Sequence, residues 1–119
     1  MKDLTPVFAA LRPVLALYAD QLDAKKDSGD ELYLDTRHLQ KNKKPLFFGA
    51  VQVKKGFVSF HLMPVYTHPD LLAGVSPELK KRMQGKSCFN FSEVDPPLFQ
   101  ELAALTQRGF ARYAELGLL

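Results

Sequence analysis

The chain has 119 residues, 46% hydrophobic and 24% charged, with nine Phe, no Trp and a formal net charge of +3. This is the make-up of one folded domain over residues 1–119, and it excludes a disordered or low-complexity chain. No apolar run approaches the roughly 18 residues of a membrane-spanning helix, and the single cysteine, Cys88, excludes an internal disulfide and a multi-cysteine zinc site.

At the amino end Met1-Lys2-Asp3 leads into an amphipathic segment rather than an apolar signal core, so a cytoplasmic protein is expected. Thr5-Pro6 reads as a helix cap followed by proline at the first helical position, and Val7, Phe8, Leu11, Leu15, Tyr18 and Leu22 recur at helical spacing. The pattern predicts a helix from about Pro6 to Asp23, kinked at Pro13, which cannot donate to the Ala9 carbonyl. Lys25 to Asp30 reads as a solvated loop, and Glu31 to Thr36 alternates as a short strand does.

Lys44 to Tyr66 reads as two apolar strands folded about Lys55-Gly56. With that turn, Val53/Val58, Val51/Phe60 and Gly49/Leu62 face one another on a core side. Gln52/Ser59, Ala50/His61 and Phe48/Met63 then lie on the opposite, mixed side. His68 to Leu72 suggests a short helical turn, and Ser76-Pro77-Glu78 opens another. Lys86 to Phe91 returns to strand, with Phe89 and Phe91 on one face and Cys88 and Asn90 on the other. Asp95-Pro96 caps a last helix with the stripe Leu98, Phe99, Leu102, Leu105, Phe110 and Tyr113, ending near Leu116. The expected architecture is α+β: a two-layer domain, its antiparallel sheet covered on one face by N- and C-terminal helices.

The run Lys44-Pro45-Leu46-Phe47-Phe48-Gly49-Ala50, the Lys55-Gly56-Phe57 turn, the Ser76-Pro77-Glu78-Leu79-Lys80-Lys81 helix start and the Gly85-Lys86-Ser87-Cys88-Phe89-Asn90-Phe91 strand, with the closing helix, resemble the YdhG-like family of small bacterial domains of unknown function. The resemblance covers about Thr36 to Tyr113. It implies an antiparallel sheet with terminal helices and, because some of those domains are described as frataxin-like iron chaperones, iron as an alternative ligand. It carries no catalytic motif.

No GxSxG, P-loop or dinucleotide glycine pattern is present, and no enzyme or cofactor is expected. The leading expectation is a non-enzymatic binding module that uses the mixed sheet face, Phe48, Gln52, Ser59, His61 and Met63, for a small ligand or for a second copy of the chain. His61 on that face and Cys88 on a nearby strand could meet as acid/base and nucleophile, although a lone cysteine is usually a small buried hydrophobe. The alternative is iron or another divalent metal held by Asp20, Asp23, Asp27, Asp30 and Glu31; the first three are spaced to share a face if the helix runs on. A weaker reading is a nucleic-acid surface made by Lys41, Lys43 and Lys44 with Lys54 and Lys55, and with Phe48 and Phe57 stacking on bases. No membrane partner is expected.

Overall fold

The computed structural model describes residues 3–119. Helix α1, Thr5–Ala16, buries Val7, Phe8, Leu11 and Leu15. Its N-cap residue is Leu4, not Thr5, and the capping acceptor is the Asp3 carboxylate, which takes the Thr5 N–H at 3.0 Å. The helix passes Pro13 but stops one turn later, well before Asp23. Packing ends it: Tyr18 stacks on Phe110 with ring centroids 4.6 Å apart, and a 3-10 turn at Ala19–Gln21 delivers Leu22 into the core.

Where a solvated loop is expected from Lys25, the chain forms strand β1, Asp23–Asp27, antiparallel to β2, Glu31–Leu39. Strand β3, Pro45–Val53, pairs with β4, Val58–Leu62, in the register the apolar pattern predicts, from Gly49 opposite Leu62 to Val53 opposite Val58. Gly56 takes a φ of 89° in the turn, and the Lys54 N–H donates to the Phe57 carbonyl at 2.8 Å. The second apolar run leaves the sheet early. Met63-Pro64 opens the short helix α2, Met63–Thr67, and a 3-10 turn follows at Pro69–Leu72.

Helix α3, Pro77–Lys80, has the predicted cap: the Ser76 Oγ accepts from the Leu79 N–H. The same hydroxyl and the Ser76 N–H both donate to the Glu101 carboxylate at 2.6 Å, fastening α3 to the last helix. Strand β5 is only Met83–Gln84, and it pairs with β6, Cys88–Phe91. Helix α4, Pro96–Glu115, starts at the Asp95 cap, and its buried stripe includes Leu98, Phe99, Leu102, Leu105 and Tyr113.

The sheet has six strands in the order β1-β2-β3-β4-β6-β5, every neighbouring pair antiparallel. On one face the rung Leu32, Val51, Phe60 and Phe89 meets Leu11 and Leu15 of α1 and Leu102 and Leu105 of α4 in a single core. This is the expected α+β domain with its terminal helices on one face. Among the described residues no helix is long and apolar enough to cross a membrane.

Candidate functional site on the outer sheet face

The face turned away from α1 and α4 is built by strand alternation. One rung runs Lys26, Tyr33, Ala50, His61, Cys88 and Gln84; a neighbouring rung runs Glu31, Gln52, Ser59 and Asn90. Gln52, Ser59 and His61 therefore stand where the hairpin register puts them. Phe48 and Met63 do not.

The reason for Phe48 is a β-bulge. Leu34 pairs with Gly49 and the next residue, Asp35, pairs with Phe47, so β3 carries an extra residue there. The bulge reverses the alternation: Phe48 turns inward and is fully buried among Tyr18, Phe110 and Tyr113. Phe47 takes the outward place instead. Met63 is absent from the face because it begins α2.

The outward Phe47 ring stacks on Tyr33 at 4.7 Å and meets the edge of His61 at 4.9 Å, so three partly buried rings from β2, β3 and β4 form a row across the sheet. Beneath it Ala50 is buried. The His61 Nε2 and the Ser87 Oγ share a hydrogen bond of 2.7 Å, which fixes the ring. Burial pushes the His61 imidazole below its ordinary pKa and holds it neutral. Asp35, beside Phe47, is pushed up by burial; Lys25 works against that shift and Asp23 reinforces it. The Gln52 side-chain amide donates to Glu31 at 2.6 Å, and this bond is the largest cause holding the Glu31 carboxyl below its usual range.

His61 and Cys88 are indeed cross-strand neighbours. The imidazole Nε2, however, is engaged by Ser87, and Ser87 is itself buried, so neither a thiol nor an accessible hydroxyl is set against a base.

The acidic set is dispersed. Because α1 stops at Ala16, Asp20 sits in the 3-10 turn while Asp23 and Asp27 bracket β1, and the helical face they were to share does not form. Asp23 pairs with Arg37, Asp27 with Arg12 and Glu31 with Lys26, while Asp30 accepts from the Ser28 hydroxyl. Among the described residues no group of three or more His, Cys, Asp or Glu side chains is placed to hold a metal ion. The lysines are dispersed too. Lys41, Lys43 and Lys44 lie before β3 and Lys54 and Lys55 after it, at ends about 25 Å apart for a strand of this length. With Phe48 in the core, Phe57 alone of the two rings expected to stack stays near a lysine pair.

Tyr33, Asp35 and Phe47 belong to the site and are not visible in the hydrophobic pattern alone. The one sequence signal for them is Gly49, a glycine inside an apolar strand, which marks a bulge or a close backbone approach. Compared with models of protein families, with curated proteins and with solved structures, the chain matches none.

Proposed function

We propose that the chain is a non-enzymatic binding module whose ligand, a small molecule with a planar ring, lies on the outer sheet face against Tyr33, Phe47 and His61. The observation that carries this is the ring row itself: three aromatic side chains are only partly buried on a face that the terminal helices leave open. Folding gains most from burying such rings, so a row left at the surface is available for burial by something else. Neutral His61, held by Ser87, offers a flat ring without a charge to desolvate. On the next rung Ser59 is buried and the Gln52 amide is engaged by Glu31, which leaves the half-buried Gln52 side-chain carbonyl as the polar edge that orients a ligand.

Kinship with YdhG-like domains remains part of the proposal, on the residues quoted for it. The single cysteine, Cys88, carries no disulfide, which fits a reducing compartment such as the cytosol.

The test is an amide-resolved NMR titration with adenosine and with indole. Saturable shifts are expected at residues 33, 47, 59–61 and 88, and Phe47→Ala should weaken them by about tenfold, the loss of one aromatic stacking contact. Shifts elsewhere only, or none at millimolar ligand, would sink the reading. Concentration-dependent shifts at the same amides without ligand, with a matching rise in sedimentation coefficient, would make a second copy of the chain the occupant.

A further inference from the structure

We propose that the ligand of the outer face is an organic cation, a flat ring carrying an ammonium arm, with the ring over Phe47 and His61 and the ammonium beside Asp35. This deepens the proposed function and rests on the ring row being the binding surface.

The placement of Asp35 carries the proposal. Asp35 stands opposite Phe47 in the β2–β3 ladder and two residues after Tyr33 on β2, so the bulge that turns Phe47 outward also sets a carboxylate beside it on the same face. Directly opposed residues on one face lie about 5 Å apart at Cβ. The Phe47 ring in turn stacks on Tyr33 at 4.7 Å and meets His61 at 4.9 Å. A ligand ring lying against Phe47 and His61 therefore needs only an ethylamine arm to cross one strand spacing, about 4.8 Å, to Asp35.

The charges around the row leave this carboxylate without a partner. Asp23 pairs with Arg37, and Glu31 with Lys26 and the Gln52 amide. Asp35 is partly buried and takes part in none of the ion pairs between described residues. Lys25 acts on it only from the exposed bulge of β1, beyond ion-pair distance. A ligand cation in van der Waals contact restores to the carboxylate the stabilisation that burial takes away. Tyr33 senses the same local field: its hydroxyl is pushed up by burial first, then by Asp35 and Glu31. The rings add to the attraction, because the faces of Tyr and Phe draw a cation held within about 6 Å. Neutral His61 does not oppose it.

An anionic ring ligand meets the opposite conditions. Asp35 repels its charge, and a neutral His61 offers no positive charge to hold it. A cation without a ring leaves the row uncovered. Screening over about 8 Å at physiological salt lets these neighbouring charges, and not the net charge of +3, decide what the row attracts.

The experiment is an NMR titration of the full chain at neutral pH with tryptamine, indole, indoleacetate and butylamine. Tryptamine is expected to shift the amides of Tyr33, Asp35, Phe47 and His61 together with the Asp35 side-chain carboxyl, and to bind about tenfold more tightly than indole. Indoleacetate should bind more weakly than indole. In Asp35→Asn, tryptamine and indole should bind alike, and the wild-type series decides the assignment even if that variant does not fold. If indole binds the row and tryptamine binds no better, or if the Asn variant still prefers tryptamine, the cation assignment is overturned while the ring-row reading stands. Indoleacetate or butylamine that matches tryptamine overturns it too, the first by removing the charge preference and the second by reducing the site to a surface carboxylate. Binding of none of the indoles at the row overturns both readings.

Discussion

His61 shows how burial and one hydrogen bond set the state of a side chain. Its ring is packed against Phe47 and bonded to Ser87, and losing water disfavours the imidazolium, so the folded-state pKa lies below the ordinary value of 6.5. The consequence for stability has a definite sign. As pH falls through about 6.5 the unfolded chain takes up a proton before the folded chain does, and stability drops until the folded-state pKa is passed. Asp35 works in the opposite sense at lower pH: its raised pKa means that the folded form binds the proton first, so this group favours folding as pH falls. We therefore expect the melting temperature of the wild type to fall more steeply between pH 7 and pH 5 than that of His61→Gln, which keeps a polar end near Ser87 but does not titrate. Parallel melting curves across that range would show that His61 titrates alike in the folded and unfolded chains.

Among the elements, β3 is the one that decides which side chains serve the core and which serve the face. Its register with β4 is legible from the alternation of Val51, Val53, Val58 and Phe60, and so are the caps at Ser76 and Asp95, because each rests on local chemistry. The outward turn of Phe47 is not legible in that alternation, since one extra residue reverses it and hydrophobicity cannot distinguish two adjacent phenylalanines. Strand β1 is hidden for a different reason. It is an edge strand with four of its five residues exposed, so Asp23–Asp27 carries no apolar period, and its pairing with β2 supplies the structure. Gly49 is the sequence trace of the bulge. A Cβ at this position would lie 2.8 Å from the His61 carbonyl oxygen and 3.0 Å from a Leu15 methyl, and backbone cannot swing aside as a flexible side chain can. Gly49→Ala is accordingly expected to destabilise the domain by about 1–3 kcal/mol, the usual cost of overfilling a packed site. Chemical denaturation measures it directly, and a loss within experimental scatter of zero would mean that β3 and β4 separate at this point without cost.

For the whole molecule the open questions are where the sheet stops and why it does not recruit more strands. At one end β5 is two residues long, too short to template a partner. At the other end β1 is longer, and its protection is chemical. Lys25 and Lys26 are exposed, and the register with β2 slips between Ala24 and Lys26, so Lys25 is an extra residue that interrupts the edge. Removing Lys25 would let Ala24 and Lys26 follow one another against Leu34 and Tyr33 in unbroken pairing. The internal β1–β2 ladder gains regularity, while the outward row of N–H and C=O groups becomes flatter and loses a charge. Two measurements should then part company: the deletion variant is expected to melt close to the wild type at low concentration, yet to associate as its concentration rises, seen as a growing sedimentation coefficient. Association that also appears in the wild type at the same concentrations would place the contact on the outer face instead of the edge. A deletion variant that stays monomeric would show that Lys26 and the short length of β1 suffice to keep the edge closed.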